Sequence, residues 1–478
     1  MPEHEPLQAL PEPGTRRSWW LREALRLEGD PPPAAPLRGT VECDVAIVGG
    51  GYTGLWTAYE LSERAPDARI VVLEQDICGG GPSGRNGGFV HGWWDQLPLL
   101  VELHGDDRAL ETARAAEEAV HQIGAFCQRH DVDAWWVQSG YIQASASEAQ
   151  DGDWQRAVET CRRLGVGDAY VPMTAAEVQA RCASPRFRGG VMMPTGASVQ
   201  PALLARGLRR VLLERGVTIH EQTRVLRLQP GTPLRVVTDA GDVRAEQVVL
   251  GMNAWAAGWP GFRTRLLTWG SYIVLTEPIP ECLAEIGWTG GEAISDSRFT
   301  VHYFRTTRDG RLAFGAGVGQ AGFGGSIGRS FTADARAVER AAAGMRHLFP
   351  TLADAPIADA WGGPIDISSD RLPAIGSMHG GRVHFAHGYS GNGVGPSRLA
   401  GRVLAAIVDG GEDPISRLPI VGARARRFPP EPFRYVGARI IREALVRRDE
   451  AQDQGRRPNA LVRMVTQVPR ILGYRFGH

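Results

Sequence analysis

Near the start of the chain, two apolar runs flank a helical pattern. Residues 44–48 (DVAIV) have the nearly continuous apolar character of a buried strand. The glycine-rich turn 49–54 (GGGYTG) follows, and LWTAYELSERA then has helical spacing. A second apolar run, 69–73 (RIVVL), ends at Glu74. This order predicts a β-α-β unit of about thirty residues.

The rest of the chain mixes helical and strand-like patterns, and we find no internal repeat. Residues 1–40 are rich in proline and charge, which predicts an extended arm with one short amphipathic piece at Trp19–Leu27. Apolar spacing predicts helices over 107–130, 200–215, 331–347 and 396–408. Alternation and short apolar runs predict strands over 136–145, 217–250, 269–276, 299–317 and 383–386, with a hairpin turn at 308–310.

The first glycine turn has the G-x-G-x-x-G spacing of a dinucleotide-binding loop. Gly49 would permit the tight turn, Gly51 the close approach of a pyrophosphate, and Gly54 the packing of helix on strand. The helix N-terminus offers N–H groups to phosphates. Glu74 follows Gly54 by 20 residues, where a carboxylate accepts ribose hydroxyls and would repel the 2′-phosphate of NADP. This motif alone leaves FAD and NAD open.

A second glycine-rich segment, 81–88 (GPSGRNGG), favours FAD over NAD. Its four glycines, with Ser, Arg and Asn, suit a loop that wraps over a flat ring and its ribityl chain. NAD-binding domains normally continue into a helix and a third strand at this point. The alternative interpretation is an exposed glycine loop without a ligand.

The composition excludes several kinds of chemistry. All 53 basic residues are arginine, so the chain has no lysine for a Schiff base, a phosphate loop or a general base. The six cysteines include no C-x-x-C pair, and His384 and His387 lack a third ligand, so we expect no metal. A formal net charge of zero gives no reason to expect nucleic-acid binding. Without an apolar signal core or a run long enough for a transmembrane segment, the expected location is cytoplasmic.

Four segments resemble the D-amino-acid-oxidase-like (DAO) FAD oxidoreductases, which include glycine and sarcosine oxidases. Within that family the chain is most similar to gamma-glutamylputrescine oxidase and its relatives. The segments are VAIVGGGYTGL (45–55), SGRNGG (83–88), WGGPIDISSDRLPAIG (361–376) and HGYSGNGVGPSRLAG (387–401). The resemblance implies an α/β fold, α+β overall. It would have a Rossmann-like FAD-binding domain and a second, discontinuous antiparallel-sheet substrate domain.

The resemblance also implies how the chain is divided. The expected parts are an N-terminal arm (1–40), an FAD-binding domain (41–90, 191–261 and 350–412), a substrate domain (91–190 and 262–349) and an arginine-rich tail (413–478). From Val421 onward the tail has 13 Arg against 5 Asp plus Glu. That excess could suit a membrane surface or an acidic partner. The alternative is a helical face packed on the body of the protein, and five prolines argue against one long basic helix.

By resemblance, the second glycine loop would lie along the isoalloxazine ring. Val225 would place its backbone at the adenine, and the turn at Asn253-Ala254 would close over the cofactor. The N–H groups of the segment 388–393 would face flavin N1 and O2, where negative charge develops on reduction. The implied cofactor-binding residues are Gly49, Gly51, Tyr52, Thr53, Gly54, Glu74, Gln75, Ser83, Gly84, Arg85, Asn86, Gly87, Gly88, Val225, Asn253, Ala254, Gly388, Tyr389, Gly391, Asn392 and Gly393.

Two departures from the family bear on the chemistry. Some relatives tether the flavin through a histidine near the second glycine loop or through a cysteine in the segment matching 361–376, and this chain has neither. We therefore expect FAD to be bound non-covalently. Other relatives place a lysine near flavin N5 to help reduce oxygen. Arg305, Arg311 or His91 could substitute here, and otherwise oxygen would be a poor acceptor, so oxidase and dehydrogenase both stay open.

The implied reaction oxidises the C–N bond of a small amine or amino acid to an imine by hydride transfer to flavin N5, and oxygen or another acceptor reoxidises the flavin. Alternation on the predicted strand 299–317 puts His302 on one face and Tyr303 with Arg305 on the other, so only one set can line the pocket. The expected catalytic candidates are His91, Tyr272, His302, Tyr303 and Arg305, and Trp269 lies on a neighbouring strand.

Two other functions remain as alternatives. A flavin-dependent monooxygenase would need an NADPH site, and we find no second G-x-G-x-x-G that opens a helix. A flavin-bound protein without amine turnover would not need the strand-rich second domain. The identity of the amine, the oligomeric state and the role of the tail are not predicted.

Overall fold

The computed structural model describes residues 17–410, 412–423 and 426–475. The expected arm over residues 1–16 lies outside the described residues. The helices are α1 (Trp19–Leu27), α2 (Tyr52–Arg64), α3 (Leu97–His104), α4 (Asp106–Arg129), α5 (Gln155–Arg163), α6 (Ala175–Gln179), α7 (Pro201–Glu214), α8 (Pro280–Glu285), α9 (Ala335–Leu348), α10 (Val394–Val408), α11 (Phe433–Asp453) and α12 (Ala460–Ile471).

The strands belong to two eight-stranded sheets and one two-stranded sheet. They are β1 (Gly39–Val48), β2 (Ile70–Leu73), β3 (Phe89–Val90), β4 (Tyr141–Ser145), β5 (Val171–Thr174), β6 (Gly189–Met193), β7 (Ala197–Ser198), β8 (Thr218–His220), β9 (Val225–Gln229), β10 (Leu234–Thr238), β11 (Gly241–Leu250), β12 (Leu267–Thr276), β13 (Ala293–Asp296), β14 (His302–Thr306), β15 (Leu312–Ala316), β16 (Ile357–Ile367), β17 (Ala374–Met378) and β18 (Val383–His387).

The first large sheet is built around the predicted β-α-β unit. Its order is β17-β18-β11-β1-β2-β8, and β1 runs parallel to both β2 and β11. The strands at its centre are apolar because both faces are buried. One face packs against α2, α7 and α10, and the other packs against β10 and the segment 256–266. α10 packs against α2 at Gly401, where a Cβ atom would lie 2.5 Å from the Cβ of Trp56. Glycine at this position therefore allows the two helices to approach closely.

The second large sheet is antiparallel except for the parallel pair β13 and β4. Its order is β16-β12-β15-β14-β13-β4-β6-β5. A core on one face of this sheet contains α9 and the rings of Phe304 and Phe314. These two rings stack with 5.2 Å between their centroids. The predicted hairpin is present as β14 and β15. The α/β fold with an additional antiparallel sheet is thus confirmed.

The two sheets interleave along the chain. The first takes strands from 39–73, 218–250 and 374–387, and the second from 141–193, 267–316 and 357–367. β16 falls inside the expected FAD-binding segment 350–412, yet it pairs with β12 in the second sheet. The domain limits proposed from sequence stay a prediction.

Only part of the expected strand 136–145 forms. β4 begins at Tyr141, and Val137 makes a single bridge to Ser198. Trp135 and Gly140 both have positive φ, which interrupts an extended strand. The alternating pattern was therefore correct only for its second half.

The C-terminal tail forms the helices α11 and α12. Asp449 of α11 is buried and accepts hydrogen bonds from the backbone N and Oγ1 of Thr300 at 2.8 and 2.7 Å, which fixes α11 to the second sheet. Pro458 lies between the two helices, but Pro469 lies inside α12 rather than ending it. Among the described residues, no helix is long and apolar enough to cross a membrane.

Glu221, directly after β8, joins three segments through a buried carboxylate. It accepts the N–H groups of Ala34 at 2.6 Å and Cys78 at 2.8 Å. It also pairs with Arg206 at 3.3 Å and Arg209 at 3.0 Å on α7. Burial acts to raise the pKa of Glu221, but these hydrogen bonds and Arg209 outweigh it and leave the pKa below its usual value. The arm, the loop after β2 and α7 are held together here.

Removing this carboxylate should destabilise the fold strongly. Glu221→Ala removes the carboxylate that pairs with the largely buried Arg209, whereas Arg206 keeps its ion pair with Glu28 at 2.8 Å. It also leaves the N–H groups of Ala34 and Cys78 without their acceptor. We therefore expect the free energy of unfolding to fall by about 3–5 kcal/mol. Chemical denaturation would measure it. The matched control is Glu214→Ala on α7, the helix that carries Arg206 and Arg209. It breaks the exposed Arg210–Glu214 pair and should cost about 0.5 kcal/mol or less. Equal, small losses in both variants would contradict the prediction.

Candidate active site

The first glycine turn brings backbone segments into unusually close contact. Gly49 has φ +111°, and a Cβ atom there would lie 2.5 Å from the carbonyl oxygen of Gly251. A Cβ atom on Gly54 would lie 2.0 Å from the carbonyl oxygen of Gly49. Any larger residue at these positions would push α2 away from the ends of β1 and β11. The N-terminus of α2 therefore stands directly at the carboxyl end of the parallel strands, where α/β folds bind ligands.

Ser83 links the two glycine loops. Its Oγ accepts the N–H of Tyr52, the first residue of α2, at 2.8 Å. Arg85 holds the same loop to β16, because its Nε donates to the carbonyl of Gly80 at 3.0 Å and its Nη1 to that of Gly362 at 3.2 Å. The side chain of Asn86 accepts the N–H of Gly88 at 2.7 Å. The second glycine loop is thus fixed by its own polar side chains.

Glu74 ends β2 with its carboxylate turned back towards the glycine turn. It accepts the N–H of Gly50 at 2.8 Å and that of Asp76 at 2.9 Å. Desolvation by burial raises the pKa of Glu74 to about 7, although both hydrogen bonds oppose that shift. Burial thus disfavours the charged carboxylate in the protein alone, and hydroxyl donors from a ligand would favour it.

Asp366, at the end of β16, lines the cavity that these elements enclose and was not predicted from the sequence. Its carboxylate accepts the N–H groups of Gly388 at 2.5 Å and Tyr389 at 3.2 Å, and the side-chain amide of Asn253 at 3.0 Å. Burial raises the pKa of Asp366 to about 7. The expectation that all N–H groups of the segment 388–393 face the flavin therefore needs correction, because two of them bind this carboxylate.

These elements enclose a cavity of about 550 Å³ between the first sheet and β16. Of the expected cofactor residues, those that line it are Gly49, Gly51, Tyr52, Thr53, Glu74, Gln75, Ser83, Arg85, Asn86, Val225, Asn253, Tyr389, Gly391 and Gly393. The other expected cofactor residues do not line it; they are Gly54, Gly84, Gly87, Gly88, Ala254, Gly388 and Asn392. The wall also includes Asp366 and two tryptophans, Trp255 and Trp259, that the sequence argument did not select.

The lining fits FAD on three observations. The glycine turn leaves room for a pyrophosphate at the N-terminus of α2. Glu74 presents a buried carboxylate with a raised pKa in the same cavity. The Oδ1 atom of Asn253 is buried and has no hydrogen-bond partner among the described residues, so it can accept from a bound ring or hydroxyl. Across the same part of the chain, no cluster of three His, Cys, Asp or Glu side chains could hold a metal ion.

Three of the expected catalytic residues lie near the glycine loops. Tyr303 faces Gly87, where a Cβ atom would lie 2.9 Å from its ring, and its hydroxyl is 2.8 Å from Oγ of Ser271. Arg305 is buried, donates to the carbonyl of Val199 at 2.5 Å and lies 5.4 Å from the Trp20 ring. Burial lowers the pKa of Arg305 to about 10.

His91 joins an aromatic cluster on this side of the second sheet, made of Phe89, His91, Tyr141 and Tyr303. Its ring stacks on Tyr141 at 4.3 Å, and Phe89 lies 5.8 Å from Tyr303. Nδ1 of His91 is 3.5 Å from the side-chain amide of Asn392. Burial lowers the pKa of His91, although Asp95 acts to raise it, so the imidazole is neutral at pH 7.

Tyr272 and His302 are not brought to this cluster. His302 pairs with Asp296 at 2.8 Å, and its ring fills the space beside Gly344 of α9. The Tyr272 hydroxyl donates to the carbonyl of Ser330. Both side chains lie on the face of the second sheet that α9 covers, while Tyr303 and Arg305 occupy the opposite face. Trp269 is also directed elsewhere, since its Nε1 donates to the carbonyl of Gly317 at 3.1 Å.

Fold and cavity together define a flavoprotein of the dinucleotide-binding type. A family model described as FAD dependent oxidoreductase (DAO) matches residues 44–407, and the chain belongs to this family. FAD is therefore its cofactor, as the sequence argument expected. That the FAD is bound non-covalently stays a prediction.

Individual relatives are similar over most of the chain. Gamma-glutamylputrescine oxidoreductase of Escherichia coli (strain K12) is 28% identical over 422 residues, covering 85% of this chain and 93% of the relative. Probable oxidoreductase OrdL of Rhizobium meliloti is 30% identical over 384 residues, covering 78% and 84%. The crystal structure of glycine oxidase from Geobacillus kaustophilus has a TM-score of 0.64 at 23% identity, covering 80% of this chain and 99% of that one.

Replacing Glu74 should weaken FAD binding strongly but leave the visible spectrum of the FAD that still binds nearly unchanged. Charge-assisted hydrogen bonds are worth about 1.5–3 kcal/mol, so Glu74→Ala should raise the Kd for FAD roughly ten- to a hundredfold. Because its pKa is about 7, Glu74 loses its charge as the pH falls through 7. Affinity of the wild-type apoprotein should therefore fall between about pH 8 and pH 6.

Fluorescence titration of the apoprotein with FAD would measure both effects. In Glu74→Gln, which has no charge to lose, the part of the pH dependence due to this residue should vanish. The visible spectrum of the FAD that does bind should match the wild type. An unchanged Kd in Glu74→Ala would show that this residue does not hold the ribose.

Proposed function

We propose that the protein oxidises the C–N bond of a small amine or amino acid to an imine, with FAD held in the cavity between the first sheet and β16. The observation that carries the proposal is the aromatic cluster beside the second glycine loop, which places a neutral histidine among aromatic rings next to the cofactor cavity. Relatives named gamma-glutamylputrescine oxidoreductase and glycine oxidase support the substrate class.

The protein's part in this reaction is to bind and orient. When bound, FAD supplies the hydride acceptor. Ser83, Arg85 and Asn86 keep the second glycine loop in one conformation, and the N-terminus of α10, beginning at Val394, directs its dipole into the cavity. The fixed loop and the helix dipole hold the ring's position and favour negative charge on it.

His91 has the properties of a proton acceptor. An ammonium must lose a proton before its neighbouring carbon can give up a hydride, and a neutral imidazole among aromatic rings can receive that proton or favour the neutral amine. Tyr303 has its pKa raised to about 12 by burial, so it stays protonated and can donate a hydrogen bond. We therefore assign His91 to proton handling and Tyr303 to substrate orientation.

Arg371 is a candidate for binding an acidic group on the substrate. It follows β16, and Asp95 and Tyr141 lie close enough to act on its pKa, although burial lowers it below the usual value. Within the described residues it makes no ion pair, in contrast to Arg311, which pairs with Asp309 and Glu277. A half-buried arginine beside the aromatic cluster favours an amine that also carries a carboxylate.

An anaerobic titration of the FAD-loaded enzyme with a panel of amines tests this function. We expect the visible flavin band to bleach with at least one amine or amino acid and to stay unchanged with its N-acetylated counterpart. Admitting oxygen to the reduced sample then separates the two enzyme types. Fast recovery of the flavin band indicates an oxidase, and slow recovery of that band indicates a dehydrogenase. No bleaching by any amine, together with NADPH consumption, would instead identify a monooxygenase and contradict the proposal.

Replacing Arg371 should change substrate binding more than turnover. For an amine that carries a carboxylate, Arg371→Leu should raise KM by about ten- to a hundredfold and leave kcat within about threefold, because a charge-assisted contact is lost. For an amine that carries no carboxylate, KM should be unchanged. Steady-state kinetics with the two substrates would measure this, and equal effects on both would contradict the role of Arg371.

A further inference from the structure

The apolar face of α12 is turned away from the protein. Leu461, Met464, Ile471 and Leu472 are between 47% and 76% exposed, and they fall on one side of the helix. On a surface helix of a globular protein this face normally packs on the core. Here only Val462 and Pro469 are buried. The helix therefore presents its apolar face to whatever surrounds the protein.

α11 extends the same surface. Phe433, Val436 and Ile440 recur at helical spacing and are each at least half exposed. Of the fourteen large apolar side chains that the described chain exposes, seven fall within residues 433–472. Single exposed apolar residues are ordinary, whereas such a concentration marks an interaction surface. We name these seven side chains the C-terminal patch: Phe433, Val436, Ile440, Leu461, Met464, Ile471 and Leu472.

Positive charge predominates around the C-terminal patch, although Glu443 pairs with Arg447 at 3.1 Å. Over residues 433–475, five arginines are exposed against a single exposed acid, Glu450. Those arginines are Arg439, Arg447, Arg456, Arg457 and Arg470. A cleft of about 680 Å³ between α9 and α11 adds Arg336 and Arg340, which make no ion pair among the residues the structure describes. The partner must therefore offer an apolar layer and negative charge together.

A second copy of the chain does not meet that requirement. A symmetric contact would place one arginine-rich surface against another, and like charges would repel. An anionic bilayer does meet it, since its acyl boundary receives an apolar helix face while its phosphates attract the flanking arginines. α12 is far too short to span a bilayer, but it can lie in the interface plane.

We propose that α11 and α12 bind the protein to the surface of a membrane that contains anionic lipids. The apolar side chains of the C-terminal patch enter the headgroup region, and the surrounding arginines contact lipid phosphates. This inference is independent of the reaction proposed above, because no residue of the C-terminal patch lines the cofactor cavity.

Vesicle flotation of the full-length, FAD-loaded protein tests the proposal. We expect the protein to float with vesicles of phosphatidylcholine plus phosphatidylglycerol, to release them as salt is raised, and to stay behind with phosphatidylcholine alone. Met464→Gln with Ile471→Gln should weaken binding about tenfold or more. The matched control, Leu213→Gln with Leu226→Gln, changes two exposed apolar residues elsewhere and should bind as the wild type does. Both variants should retain the FAD content of the wild type.

Four results would overturn the proposal. One is the absence of flotation with anionic vesicles, and another is equal binding to neutral vesicles. The third is a dimer in light scattering that Met464→Gln with Ile471→Gln dissociates, because the C-terminal patch would then be covered by a second copy. The fourth is binding to anionic vesicles that this double variant does not weaken, together with an equal affinity of the protein for polyglutamate. That result would show that the arginines alone attract an acidic partner.

Discussion

The cavity depends on the hydrogen bonds that the buried Asp366 carboxylate accepts. Asp366 ends β16 of the second sheet, whereas its donors follow strands of the first sheet: Gly388 and Tyr389 come after β18, and Asn253 comes after β11. One side chain thus fixes the distance between the two sheets at the rim of the site. Since loops after parallel strands are otherwise free to move, this link explains how the cavity keeps its shape.

Burial disfavours the ionised form of two carboxylates in the cavity. Glu74 and Asp366 both have their pKa raised to about 7, so each favours the protonated form of the protein up to that pH. Ionising them costs stability as the pH rises from their ordinary values towards 7. A ligand that donates hydrogen bonds reduces this cost, and a cofactor with ribose and ring donors has that property.

Local patterns in the sequence predicted the elements, and distant contacts determined the rest. The strand, glycine turn and helix at 44–64 and the helix α1 could be inferred because each depends on neighbouring residues. Asp366 could not, because its three donors lie 22, 23 and 113 residues away. Alternation separated His302 from Tyr303, but only α9 on one face of the sheet shows which of them is turned towards the glycine loops. Similarly, the charge excess of the tail left a membrane surface, an acidic partner and a face packed on the body open, and only the fold shows that the apolar face of α12 is exposed.

A crystal structure of the protein with FAD and a carboxylate-bearing amine analogue that it cannot oxidise tests the account most directly. We expect the ribose of the adenosine on Glu74, and the flavin ring between the second glycine loop and the N-terminus of α10. The analogue should lie in the aromatic cluster, with its carboxylate on Arg371. A flavin ring that faces Tyr272 and His302 beneath α9, or an analogue bound away from His91 and Tyr303, would contradict the account.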